Sequence, residues 1–286
     1  MSKLKIAELF YSIQGEGRFM GVPSIFLRTF GCNFKCAGFG MPKGELSDEA
    51  GIIAEKQEKF GEWKTYNQLP LVSTGCDSYA SWHPSFKDLS PMMESDGIVD
   101  RIMEILPYKT WVDEHLVITG GEPLLGWQRA YPDLLDNPLM KPLRDITFET
   151  NGTQKLSDDF KEYLTEWALR DYNFKQVTFS VSAKLSGSGE LASEAIKPEI
   201  VNEYQDVGFT YLKFVVATED DAEEALEAAD IYRENGFTGP VYLMPVGGVE
   251  SVYSLNNRKV AELAMKMGLR YSDRLQVPLF KNEWGT

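Results

Sequence analysis

Among 286 residues the chain has three cysteines, Cys32, Cys36 and Cys76, the first two spaced C-x3-C. An odd number of thiols in a chain this long fits metal ligation better than a disulfide framework. Thiolate sulfur suits iron, and three thiolates on a [4Fe-4S] cluster leave one iron open to an outside ligand. The same cysteines with His83 make the donor set of a Cys3His zinc site, and three unrelated buried thiols are the plain alternative. The C-x3-C spacing alone does not choose among the three.

Other residues carry their own chemistry beside a bland reading. In Gly120-Gly-Glu-Pro123 the glycines allow close backbone approach and Glu122 can accept from an ammonium group, although the tetrapeptide also describes an ordinary strand-to-helix turn. Lys184, in Ser182-Ala-Lys184, suits a carboxylate or simply solvent. Gln14, Glu16 and Arg28 cluster near the first strand, where a planar guanidinium suits bidentate recognition of a carboxylate or an internal salt bridge. Ser78 offers the hard oxygen that Mg2+ prefers, and Asn151-Gly152 has the composition of a tight turn.

These side chains need a frame. Short β-rich runs, 24–30, 115–119, 145–149, 176–182, 211–216 and 241–244, alternate with helical patterns, the signature of a parallel α/β sheet or barrel. Thr218 caps a helix whose apolar positions are Ala222, Ala225, Leu226 and Ala229, with Gly236 at its end. A helix starting near Ser157 puts Phe160, Leu164 and Trp167 on one face, and another runs from about Leu255 to Met267 and stops at Gly268. Residues 37–75 break the alternation: 37–44 is loop chemistry and only 47–60 reads as a helix, so the stretch is an insertion.

Hydrophobic residues are 43% of the chain, enough for one large core, and Met1-Ser-Lys-Leu-Lys leads straight into a strand-like segment. No apolar run approaches a membrane span, so a soluble intracellular protein is expected. Twenty-nine basic against 43 acidic residues leave a net charge of -14, which argues against direct nucleic-acid binding.

Five segments then occur in a fixed order: Gln14-Gly-Glu-Gly-Arg-Phe-Met-Gly-Val-Pro23, Cys32-Asn-Phe-Lys-Cys36, Gly75-Cys-Asp-Ser78, Thr119-Gly-Gly-Glu-Pro123 and Phe148-Glu-Thr-Asn-Gly152. Together they resemble the 7-carboxy-7-deazaguanine synthases, a family of radical S-adenosylmethionine (SAM) enzymes. The resemblance implies a partial (β/α)6 radical SAM barrel forming one domain over residues 1–286, with an inserted cluster-loop segment. The family's compact C-x3-C-x2-C run would place its third cysteine at Phe39. Because Cys76 is followed by Asp77 and Ser78, the family's pattern after that ligand, insertion 37–75 lies between ligands two and three.

By the same resemblance Cys32, Cys36 and Cys76 hold the [4Fe-4S] cluster, and Gly121 and Glu122 receive the methionine end of SAM. Gly75, Asp77, Asn151, Ser182, Ala183 and Lys184 surround SAM, with Ser182-Ala-Lys184 standing for a Ser-Pro-Lys element. Ile13, Gln14, Gly15, Glu16 and Arg28 form the pterin and carboxylate site, with Gln14, Glu16 and Arg28 as catalytic candidates; Thr119, Gln276 and Thr286 complete it. Ser78 supplies a hydroxyl to Mg2+. Residues 275–280 match the family's closing strand, where Gln276 replaces a frequent histidine and cannot titrate near neutral pH. The implied reaction takes 6-carboxy-5,6,7,8-tetrahydropterin to 7-carboxy-7-deazaguanine by hydrogen abstraction, ring contraction and loss of ammonia. An electron donor such as flavodoxin or ferredoxin and a homodimeric state come with it. The competing readings are another radical SAM activity, such as a glycyl-radical activase, which has no use for Gln14, Glu16 and Arg28, and a non-catalytic zinc-stabilised binding module.

Overall fold

A computed structural model describes residues 2–170 and 175–286. Nine strands, β1 (Lys3–Ile13), β2 (Pro23–Thr29), β3 (Met92–Glu94), β4 (His115–Gly120), β5 (Asp145–Thr150), β6 (Gln176–Val181), β7 (Phe209–Val216), β8 (Val241–Pro245) and β9 (Arg270–Tyr271), form one sheet. Its order is β3-β1-β2-β4-β5-β6-β7-β8-β9. From β2 onward each pairing is parallel and follows chain order, whereas β1 runs antiparallel to both neighbours. All six β-rich runs of the sequence are strands of the parallel part. The strand-like start is β1, which begins at Lys3; Met1 lies outside the described residues.

The parallel strands are buried on both faces, apolar toward the helices and partly polar toward the interior, where Thr147, Thr178, Ser180 and Lys213 are buried. One face packs beneath the long helices α2 (Ser95–Ile105), α4 (Asp158–Leu169), α6 (Pro198–Gln205), α7 (Glu219–Glu234) and α8 (Glu250–Met267), whereas α1 (Glu49–Phe60) and α9 (Gln276–Phe280) contribute no residue to that core. Phe148 and Phe179 stack on adjacent strands and continue outward to Phe160 of α4 and Tyr204 of α6. Thr218 and Asp221 form a reciprocal capping box on α7, and Gly268 ends α8 in the left-handed conformation that glycine adopts without cost. Helix α8 starts earlier than the apolar pattern suggests, at Glu250.

Edge strands β3 and β9 do not pair with each other. Instead the segment after β9 crosses to the end of β1: Leu275 donates its N–H to the Gly15 carbonyl at 3.1 Å, and Gly17 donates to Ser272 Oγ at 2.8 Å. The sheet therefore curls into a partial barrel closed by loop and side-chain contacts.

Residues 275–280, expected as a closing strand, form the short helix α9 instead. Strand pairing stops at Tyr271, and Pro278 stands in the first helical turn, where its missing N–H leaves no bond unmade.

Within 37–75 the chain leaves and returns at one place. The Gly75 N–H donates to the Phe39 carbonyl at 2.7 Å, so residues 40–74 form an excursion whose ends meet. The excursion carries α1 and a second apolar cluster, in which Ile53, Trp63, Tyr66, Leu69 and Val72 pack with Tyr79, Phe86 and Ala7 of β1.

Candidate active site

Strand register builds the site. Cross-strand partners Glu8 and Arg28, then Arg28 and Thr119, lie side by side on β1, β2 and β4, and Glu149 partners Ser180 on β5 and β6. Since side chains alternate in direction along a strand, partners in register share a face. These five make a polar row near the carboxyl ends of the parallel strands, where open α/β sheets bind ligands. The row lines a cavity of about 250 Å³. Thr119 Oγ1 donates to Glu149 Oε2 at 2.9 Å, Gln14 Nε2 donates to Glu149 Oε1 at 3.1 Å, and Arg28 Nε donates to Glu8 Oε2 at 2.9 Å.

One half of the cavity is built from charges. Glu16 ion-pairs with Lys213 of β7 and with Arg274, and Arg274 also pairs with Asp77. Gln276 Nε2 donates to Glu16 Oε1 at 2.8 Å. Burial pushes the Glu16 carboxyl up, but Lys213 and Arg274 outweigh it and hold its pKa at about 2. Gln276 Oε1 and Ser180 Oγ are buried with no partner in the protein, so this half has polar capacity left for a ligand. Gly15 lacks a side chain because a Cβ there would strike Gln276 Oε1. Thr286 lines the same half.

The other half is built from loops. Cys32, Cys36 and Cys76 are free thiols clustered with Phe34, Phe39 and Ala195, and all three line the cavity. The bond between Phe39 and Gly75 is what brings Cys76 to Cys36, at the place a compact motif would give residue 39. Cys36 holds a left-handed backbone (φ 50°), strained for a residue with a side chain, and Glu190 fixes it by accepting the N–H groups of Lys35 at 2.8 Å and Cys36 at 2.7 Å.

The donor set fits a polynuclear cluster. Among the described residues no three His, Cys, Asp or Glu side chains converge on one point as a single metal ion requires. A [4Fe-4S] cluster puts each thiolate on its own iron, a wider spacing. Burial pushes the Cys32 thiol up to about 12 and raises Cys36 and Cys76 as well, while Lys184 favours all three thiolates. Trp82 Nε1, buried without a formed hydrogen bond, lies beside Cys76 and favours its thiolate too. His83 does not line the cavity: its Nδ1 accepts from Ser85 N, and its ring packs on Trp82 and Phe86. The Cys3His zinc arrangement is therefore not formed.

Between the halves stand Gly75, Gly121, Asn151, Ser182, Lys184 and Ser78. A Cβ on Gly121 would meet the Gly31 carbonyl oxygen and come within 2.7 Å of Cys32 Cβ. Lys184 Nζ donates to Ser182 Oγ at 2.9 Å, Arg28 donates to Ser78 Oγ at 3.1 Å, and Asn151 Nδ2 donates to Asn33 Oδ1 at 2.9 Å.

Three expected site residues do not line the cavity. Ile13 pairs with Pro23 at the end of β1, and the Ala183 side chain belongs to the main core. Glu122, expected to receive an ammonium group, is fully buried and accepts from Leu124 N at 3.0 Å, Asn151 N at 2.7 Å and Thr150 Oγ1 at 2.8 Å. It thereby fixes the turn that carries Asn151, and burial pushes its carboxyl up to about 7. The sequence reading missed Glu8, Lys213, Arg274 and Glu190. Lys213 had a signal, a cation in the middle of the apolar run Phe209–Val216, since a strand buried on both faces does not keep an unpaired charge.

No protein-family model matches the chain. Among curated relatives, a 7-carboxy-7-deazaguanine synthase of Halobacterium salinarum is 31% identical over 288 residues, covering 98% of this chain and 91% of that one. Another, from Rhodopirellula baltica, is 28% identical over 294 residues, covering 100% and 90%. Among solved structures, the crystal structure of QueE from Escherichia coli matches with a TM-score of 0.54 at 20% identity, covering 95% of this chain and 93% of that one; at that identity it bears on the fold.

Proposed function

Because the chain belongs to the 7-carboxy-7-deazaguanine synthase family, we propose that its cavity is where 6-carboxy-5,6,7,8-tetrahydropterin becomes 7-carboxy-7-deazaguanine. The protein is a radical SAM enzyme of 7-deazaguanine biosynthesis. The observation that carries the assignment of the cavity is its two-sidedness: three clustered free thiols, Cys36 buried and Cys32 and Cys76 half-buried, at one side face unsatisfied polar groups and fixed charges at the other.

Cys32, Cys36 and Cys76 are the proposed ligands of the [4Fe-4S] cluster. Held there, the cluster would supply one-electron reduction of SAM. The remaining work falls to the chain. Gly121 lets SAM lie against backbone, Ser182 and Lys184 face its carboxylate, and Asn151, with Gly75 and Asp77 nearby, borders its ribose side. Arg28, aimed by Glu8, takes the substrate carboxylate, and Ser78 offers its hydroxyl to Mg2+ beside it. Gln276 Oε1 accepts from a pterin N–H, and Gln14, Thr119 and Thr286 border the ring. Glu16, kept ionised by two cations, is a fixed acceptor at neutral pH and not a proton donor, so its role is to bind and orient. With all three cysteines committed to one cluster, the electron comes from outside, from a donor such as flavodoxin or ferredoxin, and the working unit is a homodimer. Among the described residues no helix is long and apolar enough to cross a membrane.

The test is anaerobic reconstitution with iron and sulfide, then incubation with dithionite, SAM, Mg2+ and the tetrahydropterin. Mass spectrometry is expected to find 7-carboxy-7-deazaguanine; SAM cleavage without it overturns the substrate and keeps the radical chemistry. Ser78→Ala is expected to raise the Mg2+ concentration needed for half activity severalfold, and an unchanged requirement removes Ser78 from the metal.

A further inference from the structure

The excursion 40–74 begins and ends beside Cys36 and Cys76, yet its apolar cluster reaches the far side of the cavity. Trp284 is the link. Its Nε1 donates to the carbonyl of Leu69 at 3.1 Å, and its ring meets those of Tyr66 and Tyr79 edge-on, with centroids 5.7 Å away in both cases. Tyr79 Oη in turn donates to the Pro70 carbonyl at 2.8 Å. Trp284 thus sits in an aromatic box of which Leu69 and Tyr66 belong to the insertion.

That box fixes more than one side chain. After α9 the chain reverses through Lys281 and Asn282, both left-handed (φ 57°), and Asn282 Nδ2 donates to the Gly248 carbonyl at 2.9 Å. Residues 282–286 then form part of the cavity wall, where the Gly285 backbone lies close enough to the Glu8 carboxylate, which aims Arg28, to favour its ionised form. Two consecutive left-handed residues with side chains cost free energy and persist only where the surroundings hold them. Nothing in 282–286 is a regular element; turn bonds from Asn282 N–H to the Gln276 carbonyl and Glu283 N–H to the Phe280 carbonyl join it to α9, and its side-chain anchors to the rest of the protein are Asn282 and Trp284.

We propose that Trp284 is a positioning residue: gripped by the insertion, it holds segment 282–286 as the wall of the substrate half of the cavity. The insertion couples the loop that carries the cluster cysteines to the surface that receives the pterin carboxylate. This deepens the function proposed above and rests on it for the identity of the substrate, but the placement of the wall stands apart from turnover.

The experiment uses the anaerobically reconstituted full chain and two variants. Trp284→Phe loses the bond to Leu69. Tyr66→Leu strips one wall of the box from inside the insertion and does not line the cavity. Hydrogen–deuterium exchange is expected to rise at least tenfold over 281–286 in Tyr66→Leu and less in Trp284→Phe, with peptides over 31–36 unchanged. The KM for the tetrahydropterin is expected to rise about tenfold in Tyr66→Leu, with the KM for SAM and the iron content within twofold of the parent. Unchanged exchange over 281–286 in both variants overturns the proposal. Equal losses in iron content and in both KM values also overturn it, since they mark general damage. If the parent chain makes no 7-carboxy-7-deazaguanine, the function proposed above fails, while the exchange data still decide the anchoring.

Discussion

The two halves of the cavity are built by opposite means. The cysteine half is held by backbone: the Phe39–Gly75 bond, the Glu190 carboxylate on two N–H groups, the bare approach of Gly121, and Glu122 beneath the 150–151 turn. The charged half is held by side chains on strands, with Glu16, Lys213, Arg274 and Asp77 paired across nearly the whole length of the chain. The loop half is expected to fail on added volume at its close approaches, and the charged half on the loss of one partner of a pair.

The largest break in that contrast is Cys76→Ala, expected to abolish a stable [4Fe-4S] cluster, with loss of the visible thiolate-to-iron band and of turnover; an intact band overturns the ligand assignment. Next is Lys213→Met. Removing one partner of a buried pair leaves Glu16 under-compensated, so about 3–5 kcal/mol of stability is expected to go, and Lys213→Met with Glu16→Gln should recover part of it. A double variant no more stable than the single one rules out Lys213–Glu16 as the pair that matters. Smaller are the two glycines. Gly121→Ala pushes a Cβ against backbone and is expected to cost about 1–3 kcal/mol and to lower cluster retention, whereas Gly15→Ala meets the movable end of Gln276 and should cost less. The reverse order in thermal denaturation would erase the distinction between the halves.

A further contrast is in pH and has opposite signs in the two halves. Glu16, buried but held at about 2 by Lys213 and Arg274, contributes stability present above about pH 4.5 and lost as pH falls toward 2. Glu122, pushed up to about 7 by burial, is protonated more readily folded than unfolded, so its contribution is lost as pH rises from about 4.5 through 7. In the metal-free protein each slope is at most about 1.4 kcal/mol per pH unit. Glu16→Gln is expected to flatten the acid limb of the stability curve and Glu122→Gln the neutral one; the same limb flattening in both variants contradicts the assignment.

This division also decides what the sequence reveals. Strands β4 to β8 were legible because burial on both faces demands apolar runs, and Cys76 was legible because Asp77 and Ser78 follow it. Arg28 was singled out in the sequence by its guanidinium, but its partner Glu8 was not, since cross-strand register cannot be read without the bulge in β1 near Ile6 and Glu8. The pair of Glu16 with Arg274 joins residues 258 apart, and only the closure of the barrel brings them together. Residues 275–280 match a closing strand by family resemblance, yet Pro278 and the end of pairing at Tyr271 favoured a helical turn. That Glu122 accepts from three donors of its own chain was not legible, since two of them, Thr150 Oγ1 and Asn151 N, come from the end of β5.

The single hydrogen bond between Phe39 and Gly75 separates distance along the chain from distance in space. A loop whose ends are already fastened can double in length for about 0.6 kcal/mol of closure entropy, with no change at its base. The 40–74 stretch is therefore a port: sequence can be grafted or trimmed there without re-spacing Cys36 and Cys76, provided that the graft still offers Trp284 its box.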